Sequence, residues 1–293
     1  MSNSYRTIIQ SQCHSLAPEP TGVDARLSVL DGIRAVLFDV YGTLLISASG
    51  EVGTATDEGR GTALSQAFAA VGLALHGDLQ YGVQCWLDAI HDAHAQSKKE
   101  GVEYPEVDIV PIWSKCLQRL AEEKLLHGDV EDVDLRELAV QYEVRVNPTW
   151  PMPGLRSCLL ELRRRQMLLG IISNAQFFTL ELFPALLGKT LHDLEFSDDL
   201  QFYSYRSLQA KPGLPLYQLA AEAISARGLR PSDVLYIGND MLNDVLGANR
   251  VGFRTALFAG DARSLRWREG DERVAGLRPD LVVTNLEQVT SCL

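Results

Sequence analysis

Two rhythms of apolar residues alternate along this chain. The first is a set of short, nearly unbroken runs bounded by turn residues: IRAVLFDV (33–40), MLLGIISNA (167–175), DVLYIGN (233–239), FRTALFAG (253–260) and DLVVTN (280–285). Strands read this way when both of their faces are covered, as in a parallel sheet. The second rhythm is helical. In PGLRSCLLELRRRQ, Leu155, Leu159 and Leu162 share one face, and Arg163, Arg164 and Arg165 sit at the end that suits a helix dipole. PLYQLAAEAISARG ends at Gly228, a natural helix stop. Strand–helix alternation predicts an α/β domain with a doubly wound parallel sheet.

One region departs from the alternation. Between Ser47 and Trp150 no strand is evident, and four sets of apolar residues recur at helical spacing. They are Leu64, Phe68 and Val71; Leu79, Val83, Trp86, Leu87 and Ile90; Trp113, Cys116, Leu117 and Leu120; and Leu135, Leu138 and Tyr142. A small helical bundle is expected here, closed by the Pro-rich NPTWPMPG. The expected organisation is a loose N-terminal tail or arm (1–32), an α/β core from 33–47 and 151–293, and a helical insertion over 48–150.

Composition narrows the function classes. The 293 residues are 46% hydrophobic and 22% charged, ordinary for a globular protein, with a net charge of −11. That sign gives no general attraction to nucleic acid or to an anionic membrane surface, and neither is expected as a partner. No apolar run approaches a membrane span, and the N-terminus lacks a secretory pattern. Cys13, Cys85, Cys116, Cys158 and Cys292 are scattered and odd in number. Reduced thiols in a cytoplasmic protein are therefore expected. The sequence carries no information on oligomeric state.

Ligands of open α/β sheets bind at the carboxyl ends of the strands. The polar residues there are Asp39, Tyr41, Gly42 and Thr43 after the first run, and Ser173 and Asn174 after the second. Lys211 follows in LQAKPG, then Asn239, Asp240, Asn243 and Asp244 in YIGNDMLNDVLGA. Each has a structural explanation taken singly: turn former, helix cap or solvated lysine. His91 and His94 could face one ion, but no third ligand is evident. Gathered at one edge, however, three carboxylates require a proton or a cation to neutralise them. Mg2+ suits oxygen donors, and a cation with an ammonium beside a nucleophilic carboxylate is what phosphoryl transfer needs.

The segments FDVYGTLL (38–45), IISNA (171–175), KPG (211–213) and YIGNDMLND (236–244), in this order, resemble the four motifs of the haloacid dehalogenase superfamily of hydrolases. The insertion after the first motif resembles that superfamily's helical C1-type cap. The resemblance implies that Asp39 is the nucleophile, that Ser173 and the Asn174 backbone hold the transferring group, and that Lys211 bridges nucleophile and substrate. It implies Mg2+ as cofactor, bound by Asp39, the Tyr41 carbonyl and Asp240, with Asp244 ligating it through water or orienting a partner. Relatives usually carry the acid directly after glycine, where this chain has Asn239, so the roles of Asp240 and Asp244 stay open. The substrate class implied is a small, anionic molecule.

Tyr41 departs from the Asp-x-Asp of the family's phosphatases, whose second aspartate protonates the leaving alcohol and activates water. A tyrosine with a pKa of ~10 stays protonated at neutral pH and is a poor base. Loss of such a group typically costs about 10²–10⁴ in rate. Substrates with acidic leaving groups escape that cost, and so does halide displacement; Asp-x-Tyr-Gly-Thr also occurs in 2-haloacid dehalogenases. Three readings follow: a Mg2+-dependent phosphatase, which the acidic fourth motif favours; a dehalogenase; and a non-catalytic binding protein.

Overall fold

In the computed structural model, residues 2–49 and 57–293 are described, so 50–56 of the expected insertion lie outside the described residues. Strands β1 (Ala35–Phe38), β2 (Leu45–Ser47), β3 (Ala74–Leu75), β4 (Leu126–His127), β5 (Thr149–Pro151), β6 (Leu168–Ser173), β7 (Phe196–Tyr203), β8 (Val234–Gly238), β9 (Arg254–Phe258) and β10 (Leu281–Val283) follow in chain order. Six of them form one sheet, ordered β10-β9-β8-β1-β6-β7. Every pairing in it is parallel. This is the doubly wound arrangement expected from the sequence, with β1 at its centre. All five apolar runs are strands of this sheet. The edge strand β7 was not legible: Phe196, Leu200 and Tyr203 are buried, but Asp198 and Asp199 are exposed and a register shift interrupts its pairing with β6.

The register positions the site. Phe38 pairs with Ile171 on one side and Ile237 on the other, so Asp39 emerges between the loops that follow β6 and β8. The Asp39 amide donates to the Ile237 carbonyl at 2.9 Å, extending the pairing by one residue.

The helices are α1 (Ser2–Gln12), α2 (Asp57–Ala70), α3 (Leu79–Lys99), α4 (Ile109–Glu122), α5 (Leu135–Val146), α6 (Leu155–Arg164), α7 (Thr179–Leu187), α8 (Ser204–Ser207), α9 (Pro215–Ala226), α10 (Gly247–Arg250) and α11 (Glu287–Ser291). Helices α2 to α5 are the bundle expected between β1 and β6. Asp78, Asp108 and Asp134 cap α3, α4 and α5, each accepting from a backbone amide in the first turn. Phe68, Trp86, Trp113 and Tyr142 pack edge to face or tilted at its centre.

Two expectations need correction. The region read as strand-free holds one antiparallel ribbon, β3 with β4, and a second, β2 with β5, straddles its two ends. Strands of two or three residues are too short for alternation to register. The second ribbon pairs Ile46 with Trp150 and ties together the chain's entry to and exit from the bundle. The N-terminus is not loose either. Helix α1 buries Tyr5 and Ile9, Gln10 donates to the Ala185 carbonyl at 2.9 Å, and Arg26 pairs with Val282 through both backbone bonds. A single helix with so few large apolar residues leaves little periodicity to detect.

The bundle closes over the sheet edge through backbone bonds. The loop between α3 and α4 sends the Glu106 amide to the Leu208 carbonyl at 3.0 Å and accepts the Ala210 amide at Tyr104, 2.8 Å. The Gln176 side chain clasps the same loop, donating to the Val107 carbonyl and accepting the Ile109 amide. No helix among the described residues is long and apolar enough to cross a membrane.

Candidate active site

Lys211 lies at the centre of the site. Its ammonium, nearly excluded from solvent, donates to Asp39 Oδ1 at 2.8 Å and to Asp244 Oδ1 at 2.5 Å. Its backbone is held by Asn174, whose side chain accepts the Lys211 amide at 2.8 Å and donates to the Lys211 carbonyl at 3.1 Å. Of the residues expected from the sequence, Asp39, Asn174, Lys211 and Asp244 are joined directly, Asn174 through its side chain. Two buried acids hold the Lys211 pKa above its ordinary value against the opposing effect of burial. Burial pushes the Asp244 carboxyl up to about 6; Lys211 opposes that rise, while Asp39 and Asp240 add to it. Asp39 Oδ2 accepts no hydrogen bond from the described residues.

Glycines make the approach possible. A Cβ on Gly238 would lie 2.3 Å from Asp244 Cγ, so only glycine lets that carboxylate turn back under the strand end. Gly42 has φ +80°, and a Cβ there would meet Ser264 at 2.5 Å.

Ser173 is fully buried two residues beyond the last pair of β6 with β1, and among the described residues its hydroxyl makes only a 3.5 Å contact, with the Asn174 carbonyl. Tyr41 is buried, and its hydroxyl lies 2.8 Å from Thr179 Oγ1. Burial, and next the charge of Glu143, drive its pKa well above the ordinary value, so it remains a neutral phenol.

The fourth segment differs most from expectation. Asn239 is a tie between loops: its Oδ1 accepts from Thr43 at 3.1 Å and its Nδ2 donates to the Ser264 carbonyl at 2.6 Å. Asp240 caps the following helical turn, accepting the Leu242 and Asn243 amides at 2.8 and 3.1 Å. Its carboxylate is also gripped by the Arg268 guanidinium, with Nε 3.1 Å from both oxygens and Nη2 bonded to Oδ2. Asp244 Oδ2 accepts the Asp240 amide at 3.0 Å. The expected Mg2+ donors are Asp39, the Tyr41 carbonyl, Asp240 and Asp244. In this arrangement they do not fit a divalent ion, because Asp240 has no lone pair to spare and Asp244 is committed to Lys211, Tyr236 and a backbone amide. No group of three or more His, Cys, Asp or Glu side chains among the described residues could hold a metal, His91 and His94 included.

Sequence reasoning missed four contributors. Tyr236 lies inside an apolar run and reads as strand filler; its hydroxyl is 2.9 Å from the Ile172 carbonyl and 3.0 Å from Asp244 Oδ1. The polar atom of a tyrosine in a strand buried on both faces was the available clue. Tyr217 donates to the Asn243 carbonyl at 2.6 Å, and Arg268 has no motif to mark it. Glu143, on α5, accepts among the described residues only a 3.4 Å bond from Asn147, and burial pushes its carboxyl from 4.5 up to about 7.

That last shift has a defined sign. Folded Glu143 binds a proton more tightly than the unfolded chain does, so its stabilising contribution is full below about 4.5 and is lost as pH rises through about 7. Relative to Glu143→Gln, the native protein should lose about 2 kcal/mol between those limits, allowing for partial exposure. Urea titrations of both proteins across this range measure it; parallel curves would refute the assignment.

A hydrolase family model, haloacid dehalogenase-like hydrolase, matches residues 33–252, and the chain belongs to that family. Among curated proteins it is similar to the glyceraldehyde 3-phosphate phosphatase of Methanothermobacter thermautotrophicus, 27% identical over 36% of this chain and 44% of that protein. It is also similar to the enzyme of the same name from Pyrococcus furiosus, 24% identical over 43% of this chain and 55% of that protein. The chain therefore matches about half the length of these relatives. Among solved structures, the 2-haloacid dehalogenase of Pseudomonas syringae pv. Tomato DC3000 shares the fold, with a TM-score of 0.56 and 17% identity over 89% of this chain and 97% of that one.

Proposed function

We propose that the protein hydrolyses phosphate monoesters of small molecules that have acidic leaving groups, with Asp39 as nucleophile. The observation that carries this reading is the Lys211 ammonium 2.8 Å from Asp39 Oδ1, beside a second carboxylate oxygen with no hydrogen-bond partner among the described residues. The phosphatase names of the two curated relatives support the substrate class.

In this reading Asp39 Oδ2 attacks phosphorus in line and the ester P–O bond breaks, forming an aspartyl phosphate. The leaving oxygen departs as an anion and takes its proton from solvent, because neutral Tyr41, bonded to Thr179, is not a strong acid. Water then cleaves the acyl phosphate, releasing inorganic phosphate and regenerating Asp39. Lys211 offsets the charge of the attacking carboxylate and of the phosphoryl oxygens, and the Ser173 hydroxyl, whose contact with the Asn174 carbonyl is long at 3.5 Å, turns to donate to them. Magnesium would add a Lewis acid, but the donors as arranged do not fit it and no step is drawn through it. We further propose the division suggested by the sequence, with 48–150 acting as a cap that excludes water and selects substrate.

A second reading, carbon–halogen hydrolysis, is favoured by the ion-paired Asp240, since halide leaves without metal or acid. One comparison tests both. Turnover of p-nitrophenyl phosphate should exceed that of an alkyl phosphate by about 10²–10⁴, the value of the missing acid. Equal turnover would overturn the account of Tyr41. Halide release from 2-haloacids without phosphatase activity would establish the second reading. No turnover of any of these substrates by folded protein would leave a binding protein.

A further inference from the structure

The loop that carries Arg268 is built to deliver it to Asp240. The Arg266 amide donates to the Asn239 carbonyl and the Met241 amide donates to the Arg266 carbonyl, both at 2.9 Å, so two backbone bonds bracket Asp240. Two residues on, Arg268 has φ +55°, a left-handed conformation that costs a non-glycine residue on the order of 1 kcal/mol. Such a conformation persists where surrounding contacts hold it, and here the guanidinium meets a carboxylate that is 5% exposed. The bonded chain is continuous: Arg268 to the Asp240 carboxylate, the Asp240 amide to Asp244, Asp244 to Lys211, and Lys211 to Asp39.

We propose that Arg268 takes the place of a divalent cation in this site, so that the protein binds no metal at Asp240 while that ion pair is intact. Two fixed cations from the chain itself, Lys211 and Arg268, offset two of the three carboxylate charges. A guanidinium matches a carboxylate through two parallel bonds and never loses its charge, whereas a divalent ion there would have to displace it and lie close to a second cation, Lys211. The site therefore assembles without a metal, and Arg268 is a positioning residue that fixes Asp240 and, through its amide, Asp244. This goes beyond the phosphatase reading and is measured by metal binding, so either can fail without the other.

The test uses the full chain and Mn2+, followed by its electron paramagnetic resonance signal. Native protein should leave millimolar Mn2+ free. Arg268→Ala, checked for fold by circular dichroism, should bind Mn2+ saturably with affinity at least about tenfold higher, as expected when a competing ion pair is removed. Adding Asp240→Asn to that variant should abolish the gain. Arg268→Lys retains the charge without the two-pronged grip and should fall between them; it serves as the informative variant should Arg268→Ala not fold. Tight Mn2+ binding by native protein that Asp240→Asn removes would overturn the proposal. So would folded Arg268 variants that bind no better than native protein, since Arg268 would then not be what excludes the ion.

Discussion

Replacing Lys211 with methionine should destabilise the fold by about 3–5 kcal/mol at neutral pH, the usual result of stranding a buried charge partner. Lys211 is 4% exposed at its side chain, and it stands between Asp39 at 8% and Asp244 at 2%. Methionine keeps the length of the stem but leaves two carboxylates facing each other in a poorly hydrated space. Their protonation then becomes the cheapest relief. The folded variant should bind protons more tightly than its unfolded chain, so its deficit should shrink as pH falls and grow as pH rises. Denaturant midpoints of native and variant protein at acidic and neutral pH measure both effects. A neutral-pH loss below about 1 kcal/mol would mean that the ammonium is not buried between the two acids.

The second large effect is on chemistry. Asp39→Asn preserves shape and keeps a hydrogen-bond acceptor for Lys211, which retains Asp244 as its charged partner. Turnover should nevertheless fall by at least about 10³-fold, because an amide oxygen does not displace the leaving group. Stability should change far less than in the Lys211 variant. The two substitutions therefore separate: one lowers the denaturation midpoint, while the other lowers turnover at nearly native stability. A covalent intermediate trapped with hydroxylamine should form in native protein and not in Asp39→Asn. Unchanged turnover in the asparagine variant would remove Asp39 from the mechanism altogether.

Much of the architecture was legible along the chain because burial on both faces leaves an unbroken apolar run. Leu168–Ser173 and Val234–Gly238 are such strands, and Leu135, Leu138 and Tyr142 mark one face of α5. Strand β7 and helix α1 were not legible. One carries exposed aspartates at the sheet edge and the other presents few large apolar residues, so neither gives a clear period. The site divides in the same way. Asp39, Ser173, Asn174 and Lys211 stand at positions set by local chain punctuation, each at or just after a strand end or before a helix.

What local sequence determined, then, was which polar groups stand at the carboxyl edge of the sheet, because strand ends and turns follow from nearby residues. Which of those groups touch was decided only by the tertiary structure. Asp240 and Arg268 are 28 residues apart, Asp244 reaches Lys211 across 33, and Lys211 reaches Asp39 across 172. Charge pairing over such separations depends on how loops from different strands pack. Three acids that read as a metal site are, in the folded molecule, divided between a lysine and an arginine.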